Sequence, residues 1–219
     1  MRDGTTAVCA VIQKGTAEDT LTIAHVGDSR GVLCRAGYAV AVTEDHKPDL
    51  ESEKKRIEAL GGFVSFIGCW RAMGILAMSR AIGDLFLKPY VSAEPDVTSM
   101  PLKDDAEFLV IASDGVFDVF DNDQVVQIVR SAENPEQAAQ LLTNSAFAAG
   151  SLDNITAVVI ALRGYKAGAE QFVPSPREEL GHRRTTSLVL ALRACALDYE
   201  TAGYWRGRDW LQEMGAVCG

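Results

Sequence analysis

Aromatic side chains, paired cysteines and long apolar stretches are all scarce in this sequence. Aromatic residues make up 7% of the 219 residues, and the five cysteines show no paired spacing. An odd number of such cysteines argues against a disulfide framework and predicts free thiols in a reducing compartment, the cytoplasm or the nucleus. The apolar stretch Leu188 to Leu197 is too short for a membrane span and contains Arg193. We therefore expect an intracellular protein with no membrane partner.

Positive charge is also in short supply. Lys and Arg number 21 against 30 Asp and Glu, which gives a net charge of −9. This balance argues against nucleic acid or an anionic membrane as a partner. A hydrophobic content of 47% and a charged content of 23% are typical of a soluble globular protein, and the length allows one domain with an appendage.

Several catalytic signatures are missing from the sequence. No cysteine is followed six positions later by arginine, which excludes the loop of the cysteine phosphatases. There is no Cys-x-x-Cys, no His-Glu-x-x-His and no Walker loop, and the three histidines are scattered along the chain. The acidic residues between positions 114 and 123 lack a glycine and a closing glutamate at the spacing that an EF-hand requires.

The stretch Glu107 to Asp123 combines an apolar run with an abrupt acidic end. Residues 108–112, FLVIA, are typical of a buried strand, and Ser113-Asp114-Gly115 follows at once. Asp118 comes four residues after Asp114, so the two side chains share a face if the chain turns helical there. Carboxylates at a strand end are suitable ligands for a hard divalent cation.

A second acidic residue occupies the mirror position on another predicted strand. Asp153 and Asn154 lead directly into residues 155–162, ITAVVIAL. If the two strands are antiparallel neighbours, Asp114 and Asp153 converge, and a cation is then needed to offset their repulsion. The sequences SDG and LDN are equally ordinary turn sequences, so local sequence alone leaves both a metal site and plain turns open.

Six stretches of the sequence occur in the order of a known family's motifs. They are GTTAV at 4–8, AHVGDSRGVL at 24–33, TEDHKPDLESEKKRIEALGGFV at 43–64, RAMGILAMSRAIGD at 71–84, ASDGVFDVFDNDQVV at 112–126 and SLDNITAVVI at 151–160. Together they resemble the PP2C (PPM) family of metal-dependent serine/threonine protein phosphatases. The resemblance covers the chain from residue 4 to about residue 163, which predicts a phosphatase-like domain over 1–163 and a tail of unknown role over 164–219.

The resemblance implies a fold, a reaction and a set of ligands. The fold is an α+β sandwich of two antiparallel β-sheets flanked by helices. The reaction is hydrolysis of phosphoserine and phosphothreonine in a phosphoprotein substrate by a water that Mn²⁺ or Mg²⁺ activates, without a protein nucleophile. By carry-over from the family motifs, Asp114 and Asp153 bind the metal ions, and Asp118 and Asp28 help to hold an additional, weaker ion.

The family pattern also includes a segment that precedes its GTTA strand. That segment carries an arginine for the substrate phosphate, a Glu-Asp pair and an Asp-Gly-His-Gly-Gly motif whose aspartate bridges both metal ions. Here only Met1-Arg2-Asp3 precedes Gly4, and Thr5-Thr6 follows where the family has His-Gly. We therefore expect a fold that is incomplete at its N-terminus. The alternative to an active phosphatase is a catalytically inactive phosphatase-like binding or scaffold module, or an inactive fragment.

Helices and tail features follow from local signals. Strong helix formers from Leu50 to Leu60 precede two glycines, and Asp121 or Asn122 caps a helix that runs to about residue 131. Asn134 with Pro135 opens another helix that runs to about residue 149. In the tail, Pro-Ser-Pro at 174–176 predicts a linker, residues 183–187 resemble a basic-directed kinase site, and the apolar run at 188–197 predicts a short helix.

Overall fold

The computed structural model describes residues 3–166, residue 168 and the backbone of residues 188–193. The strands are β1 (Gly4–Thr5), β2 (Ala7–Gln13), β3 (Asp19–Val26), β4 (Arg30–Arg35), β5 (Tyr38–Ala41), β6 (Val64–Ile67), β7 (Cys69–Ala72), β8 (Ile82–Gly83), β9 (Asp96–Leu102), β10 (Ala106–Ala112), β11 (Thr156–Ala161) and β12 (Leu188–Arg193). The α-helices are α1 (Glu51–Ala59), α2 (Asp114–Phe117), α3 (Asn122–Ser131) and α4 (Pro135–Ala148), and a 3-10 turn spans Leu85–Leu87.

Two sheets form the centre of the fold. The larger has the strand order β12-β11-β10-β4-β5, and the smaller has the order β2-β3-β9. All neighbours in these two sheets are antiparallel except β11 and β12. Leu21 and Ile23 of β3 pack between the sheets against Leu33 of β4 and Leu109 of β10. The predicted α+β sandwich is therefore confirmed, with two further two-stranded ribbons, β1-β8 and β6-β7.

Strand β10 is buried on both faces, which explains its continuous apolar sequence. Phe108, Val110 and Ala112 point into a core that also contains residues of α3 and α4, while Leu109 points into the core between the sheets. Successive side chains of a strand face opposite sides, and each position from 108 to 112 faces one core or the other, so apolar residues occupy all five positions. The helices therefore cover the outer face of the larger sheet, as expected.

The helix ends follow the local signals closely. Asp121 caps α3 by accepting from the Gln124 amide, and the Gln124 side chain accepts in turn from the Asp121 amide, at 2.8 and 2.9 Å. Asn134 accepts from the Gln137 amide at 2.9 Å, and Pro135 is the first residue of α4. Helix α1 ends one residue earlier than predicted, at Ala59, before Gly61 with φ +84°.

The tail departs from the sequence-based prediction in one respect. Residues 188–193 form strand β12, which pairs in parallel with β11 from Thr156↔Leu188 to Ala161↔Arg193, so the predicted helix over this stretch is wrong. A short apolar run fits a buried strand as well as a helix, and the open edge of β11 supplies unpaired backbone groups. The predicted linker at 174–176 and the kinase-like site at 183–187 lie outside the described residues, as do residues 194–197.

The domain boundary near residue 163 stays a prediction, although the chain remains attached to the larger sheet just beyond it. The Leu162 amide donates to Glu107 and the Gly164 amide donates to Ala106, at 2.9 and 3.1 Å. Among the described residues, no helix combines the length and apolarity that crossing a membrane requires.

Candidate metal centre

The pairing of β10 with β11 places Asp114 and Asp153 at the same end of the larger sheet. The two strands are antiparallel, with Ala112 opposite Ala157. Asp114 begins α2 two residues after β10 ends, and Asp153 lies in the loop just before β11 begins. The end of β10, which precedes Asp114, therefore lies beside the start of β11, which follows Asp153, as the prediction requires.

The loops that carry these two acids are joined by direct contacts. The Ser113 hydroxyl donates to the Asn154 carbonyl and accepts from the Thr156 amide, both at 3.1 Å. At Gly115, a Cβ atom would lie only 2.5 Å from the Asn154 carbonyl oxygen. A side chain at position 115 would therefore force the loops apart, so the glycine of the SDG motif is required for the close approach.

Three carboxylates converge at this sheet end. Asp114, Asp118 and Asp153 each offer an oxygen atom, and these oxygens all lie within 4.8 Å of one another. Helix α2 supplies the spacing of the first two, because the Asp118 amide donates to the Asp114 carbonyl at 2.8 Å. Asp114 is half-buried, whereas Asp118 and Asp153 are exposed. We call these three residues the carboxylate cluster.

Repulsion within the carboxylate cluster changes its protonation. Burial, followed by the charges of Asp28, Asp153 and Asp118, raises the pKa of Asp114 to about 6. Burial also raises the pKa of Asp118, with the charge of Asp153 adding to the effect and Lys47 opposing it. A divalent cation bound between these oxygens would offset the repulsion, and oxygen ligands suit Mn²⁺ and Mg²⁺. The donor set therefore fits such an ion.

Asp28 lies beside the carboxylate cluster but has a different partner. It occupies the buried turn between β3 and β4, after Gly27 with φ +99°. Its Oδ2 accepts from the Lys47 ammonium at 2.5 Å, and it is not one of the residues whose oxygens lie within 4.8 Å of one another. Its charge nevertheless contributes to the raised pKa of Asp114, so the two are close enough to interact. Its predicted role as a ligand stays a prediction.

Two basic residues support the centre, although sequence reasoning gave them no role. Lys47 pairs with Asp28, and although burial opposes it, this hydrogen bond raises the pKa of Lys47. Arg30 binds Asp45 through two hydrogen bonds of 2.9 and 2.8 Å, and its guanidinium lies 4.3 Å from the ring centroid of Phe117 in α2. Both lie within motifs that the sequence displays, GDSR and DHKP, which is the signal that could have identified them.

The turn at 27–31 also spells Gly-x-Ser-x-Gly, the pattern of a serine nucleophile elbow. That chemistry needs a strand-turn-helix context, whereas here the turn joins strands β3 and β4. The Ser29 hydroxyl is hydrogen-bonded to the Thr6 hydroxyl at 2.8 Å. The structural context therefore does not support a nucleophilic serine.

Fold and site together define a class: an α+β sandwich with carboxylates suited to divalent cations gathered at one end. Comparisons with known proteins agree. The family model described as Protein phosphatase 2C matches residues 1–155. The chain is 48% identical over 157 residues to the probable protein phosphatase 2C 71 of Arabidopsis thaliana, covering 72% of this chain and 34% of that protein. It is 46% identical over 175 residues to the probable protein phosphatase 2C 7 of Oryza sativa subsp. japonica, covering 80% and 45%.

Solved structures extend the similarity to three dimensions. The structure of a C. elegans sex-determining protein matches with a TM-score of 0.65 at 30% identity, covering 70% of this chain and 39% of that one. A serine-threonine phosphatase 2C from Toxoplasma gondii matches with a TM-score of 0.59 at 30% identity, covering 69% and 56%. The chain belongs to the protein phosphatase 2C family. It spans about a third to a half of the length of the curated relatives described above.

Proposed function

We propose that this chain supplies the divalent-metal centre of a protein phosphatase that hydrolyses phosphoserine and phosphothreonine in phosphoprotein substrates. The observation that carries the proposal is the convergence of Asp114, Asp118 and Asp153, with ligand oxygens within 4.8 Å of one another. Membership of the protein phosphatase 2C family supplies the reaction class. Both Mn²⁺ and Mg²⁺ suit these oxygens, and the proposal covers either ion.

The chain's own residues have defined tasks in this proposal. When bound, a divalent ion supplies an activated water and positive charge beside the phosphoryl oxygens. Asp114 and Asp153 hold the ion from two strand ends, and Asp118 adds an exposed oxygen. Asp28, paired with Lys47, helps Asp118 to hold an additional, weaker ion. Because water is the nucleophile, no serine or cysteine of the chain has to attack phosphorus.

The cellular setting is part of the same proposal. The cysteines at 9, 34 and 69 are free thiols in the described part of the chain. Unpaired thiols, together with a phosphoprotein substrate, favour a reducing interior, the cytoplasm or the nucleus.

Hydrolysis of a phosphothreonine peptide by the 219-residue chain tests the proposal. We expect turnover with Mn²⁺ or Mg²⁺ that EDTA abolishes and that Asp114→Ala reduces by at least about 100-fold, since a ligand matters more than the residues behind it. Asp123→Asn is the matched control, because it removes one exposed acidic charge from the nearby first turn of α3. A folded chain that binds Mn²⁺ without turnover would contradict catalysis by this chain and support an inactive binding module. A folded chain that binds no Mn²⁺ would contradict the proposed metal centre itself.

A further inference from the structure

A second group of ligand-type side chains lies away from the carboxylate cluster. His25, His46 and Asp96 each offer an atom, and these atoms lie within 4.8 Å of one another. Both histidines are buried, and their rings stack with centroids 4.4 Å apart and planes only 2° from parallel. We call these three residues the histidine cluster.

The geometry of the histidine cluster does not suit a metal ion. The lone pair of an imidazole nitrogen lies in the ring plane, so two stacked parallel rings cannot direct lone pairs at one ion. In addition, His46 Nδ1 accepts from the Gly27 amide at 3.0 Å. A neutral imidazole with an accepting Nδ1 carries its proton on Nε2, which here donates to Asp96 Oδ2 at 3.1 Å. Both nitrogens of His46 are therefore already committed to protein partners.

The bonds of His46 connect the turn that carries Asp28 to other parts of the chain. The His46 amide donates to the Gly27 carbonyl at 3.0 Å, so the two residues exchange two hydrogen bonds. The His46 carbonyl accepts from the amide and the hydroxyl of Ser79, at 2.8 and 2.9 Å. One buried residue thus holds the β3–β4 turn, the segment after β7 and the start of β9.

We propose that His46 is a positioning residue for the metal centre, whose Nδ1 holds the Gly27 amide and thereby fixes the carboxylate of Asp28. This inference rests on the proposed function, because it assumes that the centre binds a divalent ion. Gly27 has a positive φ of +99°, and a Cβ atom there would lie 2.3 Å from the Thr6 side chain. The turn is therefore confined on one side by Thr6 and on the other by His46.

The neighbourhood keeps the His46 ring in the state that this role requires. Burial lowers the pKa of His46, and the charge of Arg80 acts in the same direction, although the bond to Asp96 opposes it. A neutral ring leaves Nδ1 free to accept. A protonated ring would place an N–H group against the Gly27 N–H group.

Two substitutions separate the acceptor of His46 from its bulk. Asn places Oδ1 two bonds from Cβ, as His46 Nδ1 is, so His46→Asn keeps an acceptor for the Gly27 amide. Gln places its polar atoms farther out, near His46 Nε2, so His46→Gln keeps a donor for Asp96 and loses that acceptor. The experiment measures Mn²⁺ affinity of the full chain by calorimetry at about pH 7.5, where a histidine of ordinary pKa is also neutral.

We expect His46→Asn to bind Mn²⁺ within about threefold of the wild type, and His46→Gln to bind about tenfold more weakly, the scale of a residue behind a ligand. The same pair is then made in the Asp28→Asn background, where His46→Gln should have no further effect because its target is gone. Amide exchange at Gly27 should be faster in His46→Gln than in His46→Asn.

Equal Mn²⁺ affinities for the Asn and Gln variants would overturn the inference, as would a His46→Gln loss that persists in the Asp28→Asn background. If His46→Gln no longer unfolds cooperatively, its loss of Mn²⁺ binding does not test the role of Nδ1. The inference then stands only if His46→Asn retains Mn²⁺ binding. A wild-type chain that binds no Mn²⁺ would instead overturn the proposed function, and the inference with it. The two failures are therefore distinguishable.

Discussion

Asp114 and Glu53 are both acidic side chains withdrawn from solvent, yet their pKa values move in opposite directions. The pKa of Asp114 is raised to about 6 by burial and by Asp28, Asp153 and Asp118. Burial also acts to raise the pKa of Glu53, but hydrogen bonds from Arg80 and then from Arg56 lower it to about 2. One acid faces like charges, and the other faces donors and opposite charges.

The difference shows what each region is built to do. The Arg80 guanidinium bridges Glu53 and Asp96, with both bonds at 2.7 Å, so this acidic network is neutralised by the protein itself. The carboxylate cluster has Lys47 nearby, but that ammonium is paired with Asp28. Carboxylates that repel one another are typical of sites that an outside cation completes, so the raised pKa of Asp114 favours a functional role for the carboxylate cluster.

The largest expected effect is on metal affinity. Asp114→Asn should weaken Mn²⁺ binding by more than about 100-fold, because even residues behind the ligands are worth about 10- to 100-fold. Calorimetric titration measures it. Asp123→Asn, the matched control, should change affinity by less than about threefold, since an exposed charge outside the carboxylate cluster is screened by salt. Equal losses in the two variants would mean that the chain binds Mn²⁺ only through general negative charge.

The next largest effect is on the stability of the network in which Arg80 bridges Glu53 and Asp96. Glu53→Gln should lower the free energy of unfolding by about 2–3 kcal/mol, because it removes the carboxylate partner of Arg56 and one of the two carboxylate partners of Arg80 in a buried setting. Urea unfolding at neutral pH measures the change. Glu58→Gln, an exposed position on the same helix, should change stability by less than about 0.5 kcal/mol.

The pH dependence of the same variant supplies a second check. Because the folded pKa of Glu53 is depressed, its contribution to stability is complete above its unfolded pKa of about 4.5 and is lost as pH falls toward about 2. The stability difference between the wild type and Glu53→Gln should therefore shrink across that range. A difference that stays constant with pH would show that packing, not charge, stabilises this site.

In the absence of metal, Asp114→Asn should raise the free energy of unfolding, whereas Glu53→Gln lowers it. A folded pKa raised to about 6 means that the ionised Asp114 destabilises the fold above that pH, and that this penalty disappears as pH falls toward 3.8. In EDTA at about pH 7.5 the free energy of unfolding of the variant should exceed that of the wild type by about 1–2 kcal/mol, allowing for screening of this half-buried group. At about pH 3.5 the gain should be small, because Asp114 is then mostly protonated in both the folded and the unfolded chain.

The smallest effect on stability is expected for Asp96, the exposed acid of the network that Arg80 bridges. Its side chain is 53% exposed, although it accepts from both His46 and Arg80. Exposed ion pairs contribute about 0–1 kcal/mol, so Asp96→Asn should lower stability by less than about 1 kcal/mol. A loss as large as that of Glu53→Gln would show that exposure does not set the size of these effects.

Much of the local structure around Asp114 could be predicted from the sequence. The apolar run of β10 and the acids after it predicted both the strand and the position of Asp114. The caps at Asp121 and Asn134 predicted where α3 and α4 begin. These features depend on residues within a few positions of one another, which is the range over which periodicity and capping act.

The contacts between distant segments could not be predicted in the same way. Lys47 pairs with Asp28 nineteen positions away, and Ser113 joins a loop more than forty positions along the chain. Such pairs depend on how strands and loops are placed by the packing of the whole domain. The resemblance to a family ordered the motifs correctly, but it gave His46 no task, because a lone histidine carries no signal of its partners.

The central claim is that the carboxylate cluster, and not the histidine cluster, binds divalent cations. Anomalous diffraction from crystals of the chain soaked in Mn²⁺ tests it most directly, because it locates the ion without relying on activity. The account predicts an anomalous peak among the carboxylates of Asp114, Asp118 and Asp153, with none between the rings of His25 and His46. A peak at the histidines, or a soaked crystal with no peak among the three carboxylates, would contradict it.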